Sequence, residues 1–278
     1  MKEKTCMVTG ATSGIGLATA QALAQQGATV IVVGRNPEKG ATTVARIRQE
    51  TGNPSVEFML ADLSVQAEIR HLAREFQSRY SRLDVLVNNA GGFFLKRQLS
   101  ADGIEMTLAL NYLNFFLPTH LLLDTLKASA PARIVNVSST VHKNAQIDFE
   151  NLQRERKYSG IGAYGQSKLA VVLFTYELAR RLEGTQVTVN ALHPGFVATN
   201  IATNNGWPFK LFVPLGRFIA LSPKKGAQTS IYLASSPEVA GVTGKYFDKK
   251  KAAPLTAAPY DQAVAQRLWE ISVKMTGL

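Results

Sequence analysis

The stretch that decides the fold is TCMVTGATSGIG, residues 5–16. Its first five residues are a short apolar and β-branched run without polar alternation, which predicts a strand buried on both faces of a parallel sheet. The glycines that follow let the backbone turn sharply next to a pyrophosphate, and a helix predicted over residues 17–26 starts just beyond them. The predicted phosphate contacts are Gly10, Thr12, Ser13, Gly14, Ile15 and Gly16.

The glycine spacing is GxxxGxG, which differs from the GxGxxG pattern of the common dinucleotide fingerprint. A glycine-rich turn that binds no ligand is therefore the alternative interpretation. The place of the turn, after the first strand and before a helix, favours the phosphate site.

The alternation of strand and helix continues along the chain. Short Val/Ile/Leu-rich runs predict strands at residues 29–33, 56–60, 85–88, 134–137 and 187–192, with another near Tyr246. Helices are predicted from Pro37, over residues 65–80 with Ser64 as cap, and over 162–182, 226–234 and 263–275. This order predicts an α/β chain: a single-domain Rossmann fold over residues 1–278, a doubly wound parallel sheet with helices on both faces.

Composition excludes several classes of protein. Hydrophobic residues make up 46% and charged residues 18% of the 278 positions, as in ordinary globular domains. The single cysteine, Cys6, excludes an intramolecular disulfide, and we expect no metal site. No apolar run approaches the ~18 residues of a membrane-spanning helix and no signal peptide is visible, so we expect a cytoplasmic protein.

The positive charge is concentrated in the second half of the chain. Residues 200–251 hold eight basic and two acidic residues, which supply +6 of the net charge of +11. Such an excess favours an anionic partner, an anionic membrane surface, or only solubility. No basic platform with interleaved aromatic residues accompanies it, so we expect no nucleic-acid partner.

Residues after the second and third predicted strands indicate which nucleotide the protein binds. Arg35 stands where a carboxylate would hydrogen-bond the ribose of NAD and repel a 2′-phosphate, and its guanidinium can hold a phosphate. We therefore predict NADP(H) in preference to NAD(H); a solvated surface arginine is the alternative. Asp62 could accept from the adenine amino group or cap a helix, and Leu63 is predicted to contact the nucleotide with it.

Tyr164 and Lys168 lie four residues apart in a strong helical pattern, so their side chains project from one helix face. A phenol with its ordinary pKa of about 10 is a poor acid–base catalyst at neutral pH, and a nearby ammonium favours the phenolate. Taken alone, this YxxxK pattern also occurs on many surface helices and does not identify a site.

Six motifs follow one another in order along the chain. They are the glycine turn, Asn88-Asn89-Ala90-Gly91, Asn111, Ser138-Ser139, Tyr164 to Lys168, and Pro194-Gly195. In this order, and at the predicted element boundaries, they resemble the short-chain dehydrogenase/reductase family over nearly the whole chain. Residues 133–139, 177–182 and 193–195 are similar to its retinol dehydrogenase-like branch.

The resemblance implies a role for four catalytic residues. Tyr164 would donate a proton to a carbonyl oxygen in reduction and accept one in oxidation, while Lys168 would lower its pKa and hold the nicotinamide ribose. Ser139 would hydrogen-bond the reacting oxygen; it is preferred to Ser138 because its spacing to Tyr164 matches the branch. Asn111 would support a water chain to Lys168, or be a satisfied helix asparagine. The remaining implied cofactor contacts are Asn89, Ala90, Gly91, Pro194, Gly195, Val197 and Thr199.

The resemblance also places an insertion at about residues 142–162, which would shape the substrate entrance. We interpret His142 in it as a loop residue without a catalytic role, and Phe149 and Tyr158 as packing residues. Many retinol dehydrogenases carry an N-terminal membrane anchor, whereas this chain starts directly at its first strand. Membrane residence and retinoid specificity therefore do not follow from the resemblance.

Residues of about 199–225 correspond to the mobile substrate lid of the family. Large apolar side chains there, together with residues 93–95, indicate a lipophilic aldehyde, ketone or alcohol as substrate; ordinary core packing is the alternative. Basic residues punctuate this lid, so it either touches anionic lipid peripherally or is a solvated basic face. An oligomer is compatible with the sequence.

The leading hypothesis is an NADP(H)-dependent oxidoreductase that transfers hydride between the nicotinamide and a lipophilic carbonyl compound or alcohol, mainly in the direction of reduction. The alternative is an NADP-sensing scaffold without significant turnover. Such proteins often lose the catalytic tyrosine or lysine, whereas Tyr164 and Lys168 are both present.

Overall fold

One sheet organises the computed structural model, which describes residues 1–197, 221–253 and 261–278. Within these residues its eight strands lie in the order β3-β2-β1-β4-β5-β6-β7-β8, all parallel except β8, which is antiparallel to β7. The strands are β1 (Thr5–Thr9), β2 (Thr29–Gly34), β3 (Val56–Leu60), β4 (Val85–Asn88), β5 (Ala132–Val137), β6 (Val187–His193), β7 (Lys245–Asp248) and β8 (Lys251–Ala252).

Helices cover both faces of this sheet. They are α1 (Gly14–Gln25), α2 (Pro37–Thr51), α3 (Gln66–Arg79), α4 (Met106–Leu108), α5 (Asn114–Leu121), α6 (Leu123–Ala128), α7 (Gly160–Arg181), α8 (Pro223–Gly226), α9 (Gln228–Ser235) and α10 (Gln262–Thr276). A π turn (Ala109–Leu113) joins α4 to α5, and 3-10 turns lie at Thr140–Asn144, Phe149–Asn151 and Pro237–Val239. The predicted fold class, a Rossmann fold with a doubly wound sheet, is confirmed.

Side-chain alternation along the strands divides the core into two layers. In β1, Met7 joins the core beneath α3, α5, α7 and α10, while Cys6 and Val8 join the core beneath α1, α2 and α9. Because successive residues of a strand point to opposite faces, a strand covered on both sides is apolar throughout. This explains why the sequences of the strands are unbroken apolar runs.

The sheet order creates the crevice for a ligand. The chain runs outward from β1 to β3 and then crosses back to β4, which pairs with β1 on its other side. The helices that follow β1 and β4 therefore lie on opposite faces of the sheet, and the two loops that lead to them are neighbours at its carboxyl edge. Ligands of open α/β sheets bind at such a switch point.

Several boundaries differ from the sequence prediction. Ser64 does not cap the helix; α3 begins at Gln66, whose N–H donates to the carboxylate of Asp102 (2.8 Å), while the Ser64 hydroxyl donates to Asp62 (2.7 Å). This cap is distant in sequence, which explains the error. The predicted helix at 226–234 corresponds to α9, which begins two residues later, and neither α8 nor strand β8 was predicted.

The end of the predicted insertion, residues 142–162, overlaps the start of α7 at Gly160, and the insertion stays a prediction. Pro37 opens α2 as predicted, behind an Asn36 side chain that accepts from the N–H of Lys39. None of the helices in the described ranges is long and apolar enough to cross a membrane.

Candidate active site at the carboxyl edge of the sheet

The glycine turn and the loop after β4 touch at the switch point. Gly10 has a positive φ of +64°, and a Cβ there would lie 2.8 Å from the Cα of Ala90. A Cβ on Gly16 would lie 2.5 Å from both the Asn89 amide nitrogen and the Gly10 carbonyl oxygen. The Asn89 amide in turn donates to the Thr9 carbonyl (2.8 Å). Only glycine fits these two positions, so the turn can lie directly beneath the start of α1.

A cleft of about 800 Å³ opens over this turn. Most of the predicted nucleotide contacts line it: Gly10, Thr12, Ser13, Gly14, Ile15, Arg35, Asp62, Leu63, Asn89, Ala90, Gly91, Tyr164, Lys168 and Pro194. Gly16, Gly195 and Val197 are not lining residues. Gly16 instead permits the close packing of α1 described above. Ser13 precedes the first turn of α1 and makes no capping bond with its side chain, which leaves the first N–H groups of the helix facing the cleft.

Arg35 lies exposed at one end of the cleft. Its guanidinium is 3.9 Å from the carboxylate of Asp62, which also accepts from the N–H (2.9 Å) and hydroxyl of Ser64. Asp62 thus orders the loop after β3 in addition to facing the cleft. Lys39 and Arg46, both on α2, line the same end and were not predicted. Their spacing of seven residues, which places both on one helix face, was the available signal.

Tyr164 lies at the other end of the cleft, in the second turn of α7. Its ring meets the ring of Phe93 edge to face, with centroids 5.7 Å apart. Burial raises the pKa of Tyr164 to about 12, and a hydrogen bond with the Ser139 hydroxyl acts in the opposite direction. At neutral pH this tyrosine therefore holds its proton beside Ser139.

Lys168 is buried one helical turn beyond Tyr164. Its ammonium lies 5.6 Å from the centroid of the Tyr164 ring and donates to the Val137 carbonyl at the end of β5 (3.0 Å). Burial lowers the pKa of Lys168 to about 8, so the group is still protonated at pH 7. The cation is thus fixed beneath the tyrosine by the backbone of a neighbouring strand.

The two candidate serines have different surroundings. Ser138 is buried and its hydroxyl donates to the Lys168 carbonyl (2.8 Å), which ties β5 to α7. The Ser139 hydroxyl faces Tyr164 instead. This difference supports Ser139 as the residue that contacts a reacting oxygen.

The three residues between Tyr164 and Lys168 each make a distinct contact. Gly165 lies against Ala145, where a Cβ would be 3.4 Å away. The Gln166 side chain is buried and bonds the insertion, donating to the Leu152 carbonyl (2.8 Å). Ser167 accepts from the amide of Asn111. The helix that carries the catalytic pair is therefore joined on one side to the insertion and on the other to the π turn.

Asn111 lies in that π turn and is fully buried. Its side chain accepts from the N–H of Gly92 (2.7 Å) and donates to the Gly92 carbonyl (2.9 Å), in addition to the bond with Ser167 (3.2 Å). A Cβ on Gly91 would lie 3.0 Å from the Asn111 oxygen and 3.7 Å from the Lys168 ammonium. Asn111 is therefore adjacent to Lys168, and its side chain holds the loop after β4.

Other predicted features lie at or beyond the edge of this arrangement. Asn88 does not line the cleft; its amide donates to Thr119 and Asn136 within the core. Thr199 and most of the predicted lid, residues 199–220, lie outside the described residues. No group of three His, Cys, Asp or Glu side chains among the described residues could hold a metal ion.

Two groups near the site, the buried His142 and the half-buried Tyr158, were not predicted to matter. The His142 ring lies within hydrogen-bond distance of the Ser139 carbonyl. In the insertion, the Tyr158 hydroxyl donates to the Phe94 carbonyl (3.0 Å) and contacts the buried carboxylate of Glu105 (3.3 Å). The Tyr158 contacts join segments that only the fold brings together, whereas the contact of His142 lies within one turn, three residues from Ser139.

Comparisons with known proteins agree with this geometry. A sequence profile described as short chain dehydrogenase matches residues 4–207. Retinol dehydrogenase 13 of Mus musculus is 46% identical over 281 residues, covering 99% of this chain and 84% of that protein. Polyprenol dehydrogenase of Homo sapiens is 42% identical over 283 residues, covering 99% and 86%. Among solved structures, an actinorhodin polyketide ketoreductase variant with NADPH is similar with a TM-score of 0.69 at 30% identity, covering 90% of this chain and 97% of that one.

Proposed function

The chain belongs to the short-chain dehydrogenase family, and we propose that it is an NADP(H)-dependent reductase of lipophilic aldehydes or ketones that also oxidises the corresponding alcohols. The family assignment makes it an oxidoreductase of alcohols and carbonyl compounds with a nicotinamide cofactor. One observation carries the proposal. The cleft that begins at the glycine turn ends at Tyr164, where Ser139 and Lys168 converge.

The residues that line the cleft fit a dinucleotide. The N-terminus of α1 is suited to a pyrophosphate, and a Cβ at Gly10 would close the turn against Ala90. When bound, NADP(H) supplies or accepts the hydride. Gly10 to Ile15 would hold its phosphates, and Asn89 to Gly91 would line its ribose and nicotinamide half.

Tyr164 would transfer the proton. Because burial holds the pKa of Tyr164 at about 12, the phenol is protonated at neutral pH and is ready to donate to a carbonyl oxygen. Ser139 would donate a hydrogen bond to the same oxygen, and the Lys168 ammonium would stabilise the phenolate that remains.

The preference for NADP(H) rests on Arg35. This exposed guanidinium directly follows β2, where a carboxylate would bind the ribose of NAD, and it lines that end of the cleft with Lys39 and Glu38. Kinetics with NADPH and NADH test it. Arg35→Ala should raise the KM for NADPH about 30-fold, as expected for the loss of a charged hydrogen bond of about 2 kcal/mol, and leave the KM for NADH unchanged. Arg74→Ala, at an exposed arginine of α3, is the control; a wild type that prefers NADH contradicts the proposal.

Exposed apolar side chains near Tyr164 support a lipophilic substrate. Ile161 is 75% exposed one turn before Tyr164 on α7, and Leu95 is 44% exposed beside the first residue of that helix. Phe196, after β6, is 67% exposed. Similar proteins named for retinol and polyprenol point to the same class of substrate.

An aldehyde series tests the substrate class. NADPH oxidation is measured with straight-chain aldehydes of increasing length, with retinaldehyde, and with glyceraldehyde as the polar control. Each added methylene that enters an apolar pocket should raise kcat/KM about fourfold, corresponding to about 0.8 kcal/mol. Activity confined to glyceraldehyde and the shortest aldehydes would contradict a lipophilic substrate.

Location and membrane contact stay predictions. We propose a cytoplasmic protein whose basic lid touches anionic lipid, although of that segment only residues 221–225 are described. Lys224 and Lys225 are exposed at the start of α8, which supports an attraction to anions. Cosedimentation with phosphatidylserine vesicles should show binding that salt abolishes; absence of binding at low salt contradicts it.

A further inference from the structure

His142 is a fully buried histidine directly behind the candidate catalytic serine. It lies in the 3-10 turn that follows β5, and its ring Nδ1 is 2.5 Å from the Ser139 carbonyl oxygen. The backbone N–H of His142 donates to the same oxygen at 3.3 Å. The Ser139 carbonyl oxygen thus contacts both the backbone N–H and the ring nitrogen of His142.

The chemistry of this contact fixes the state of the ring. A carbonyl oxygen can only accept, so Nδ1 carries the hydrogen. Burial lowers the pKa of His142, and the electrostatic interactions with Lys143 and His193 act in the same direction, whereas the bond to Ser139 opposes them. At neutral pH the ring is therefore neutral and protonated on Nδ1.

The ring has little freedom to turn away from this position. From β7, the ring of Tyr246 meets it edge to face, with centroids 4.5 Å apart. On the other side of Ser139, the hydroxyl of Ser138 is bound to the Lys168 carbonyl. Ser139 is held between these two anchors in an extended conformation, with φ −158° and ψ 156°, and its hydroxyl faces Tyr164.

We propose that His142 is a positioning residue that fixes the Ser139 hydroxyl toward Tyr164 through the hydrogen bond from its Nδ1–H to the Ser139 carbonyl. The inference rests on the proposed function, because it gives His142 a role only if Ser139 contacts the reacting oxygen. Small displacements of a group that stabilises a transition state are costly to the rate, so a backbone anchor of this kind is expected to affect kcat rather than cofactor binding.

Two substitutions separate positioning from packing. His142→Leu removes the donor and should lower kcat about tenfold without changing the KM for NADPH. In His142→Asn the side-chain amide can occupy the place of Nδ1 and donate to the Ser139 carbonyl, so kcat should return to within about twofold of wild type. Activity is measured on the fastest aldehyde of the series above, and thermal unfolding is recorded for every variant.

Each substitution is repeated in a Ser139→Ala background. If His142 acts through Ser139, His142→Leu should cause no further loss there, because the group that it positions is absent.

The pH profile of alcohol oxidation gives an independent readout. The bond from Ser139 lowers the pKa of Tyr164, so weakening it raises that pKa and moves the rise in activity to higher pH. His142→Leu should move it in the same direction as Ser139→Ala.

The outcomes distinguish this inference from the proposed function. If Ser139→Ala keeps full activity, the assignment of Ser139 fails and the role of His142 fails with it. If Ser139→Ala loses activity but His142→Leu keeps it, only the positioning role is overturned. The same holds if His142→Leu lowers kcat by the same factor in the wild-type and in the Ser139→Ala background. An Asn variant as slow as the Leu variant, with the wild-type pH profile, also overturns it.

Discussion

Two clefts of similar volume lie at opposite edges of the sheet. The cleft at the carboxyl edge has about 800 Å³, and one at the amino edge, lined by Lys4, Asp84, Arg133 and residues 182–188 among others, has about 690 Å³. Volume therefore does not distinguish them. Their polar groups do.

At the amino edge Lys4, Asp84 and Arg133 are paired with one another or with backbone carbonyls. Asp84, 2% exposed, accepts from the Lys4 ammonium (2.8 Å), from Arg82 and from the N–H of Thr5 (2.9 Å). Arg133 donates to the Leu233 carbonyl (3.0 Å) at the end of α9. Each group has a structural role that its bonds fully explain.

At the carboxyl edge the arrangement is different. Tyr164 has a raised pKa and Lys168 a lowered one, and the first N–H groups of α1 face the cleft without a capping side chain. Ionisable groups with perturbed pKa values in a cleft are typical of functional sites. The pKa values of Asp84 and Arg133 at the amino edge are shifted as well. The comparison therefore teaches that the pairing of Tyr164 with Lys168 beside an uncapped helix N-terminus, and not the size of the cleft, distinguishes the carboxyl edge as the candidate active edge.

Removal of the Tyr164 hydroxyl should have the largest effect. Tyr164→Phe keeps the ring against Phe93 but removes the proton donor, so kcat should fall about 10³-fold while NADPH affinity stays within about twofold. Steady-state kinetics and NADPH fluorescence titration measure the two quantities. Tyr176→Phe, on the same helix, is the control. A Tyr164→Phe variant with most of its turnover would remove the catalytic distinction between the edges.

A methyl group in the glycine turn should weaken cofactor binding next. A Cβ at Gly10 would meet Ala90 at 2.8 Å, so Gly10→Ala should raise the Kd for NADPH about 100-fold, corresponding to about 2.7 kcal/mol. Gly52 is a matched control, because its φ of +68° is similar and a Cβ there has nothing within 4 Å. Gly52→Ala should cost about 1 kcal/mol of stability and leave the Kd unchanged. Equal Kd values for the two variants would contradict a nucleotide at this turn.

The smallest effect, confined to stability, should come from the amino edge. Burial alone would raise the pKa of Asp84, but hydrogen bonds from Arg82, Lys4 and the Thr5 N–H lower it below its usual value. Asp84→Asn should therefore reduce the free energy of unfolding by about 2 kcal/mol at pH 7. The loss is moderate because Lys4 and Arg82, the cations that bind Asp84, are partly exposed. The variant should leave kcat unchanged.

The same carboxylate gives a pH dependence with a definite sign. A group whose pKa is lower in the folded state stabilises the fold above its unfolded pKa and loses that contribution as the pH falls. The difference in stability between wild type and Asp84→Asn should therefore shrink below about pH 4 in urea unfolding. A constant difference, or a lower kcat in the variant, would contradict the structural role of this edge.

The fold and the core of the site could be predicted because their signals are local. The glycine turn after β1 and the pairing of Tyr164 with Lys168 depend on neighbours in sequence. The preference for Ser139 over Ser138 came instead from the resemblance to the retinol dehydrogenase-like branch, whose serine-to-tyrosine spacing it matches, and their different hydrogen bonds support it.

The rest depends on contacts between distant segments. The N-terminus of α3 is capped by Asp102, thirty-six positions away from Gln66, so the local Ser64 was the wrong choice. Asn111 lies in a π turn, which no hydrophobic period predicts. His142 is only three positions from Ser139, but the contact of its ring with Tyr246 of β7 depends on the fold.

The last helix has a consequence for synthesis of the protein. Trp269 of α10 packs on Phe174 of α7, and Ser272 bonds Tyr112 (2.7 Å) beside Asn111. The rear of the catalytic helix is therefore covered by residues that leave the ribosome long after it. Until α10 has been translated, this apolar surface is open to chaperones or to other nascent chains, so the candidate site cannot be completed before α10 has emerged.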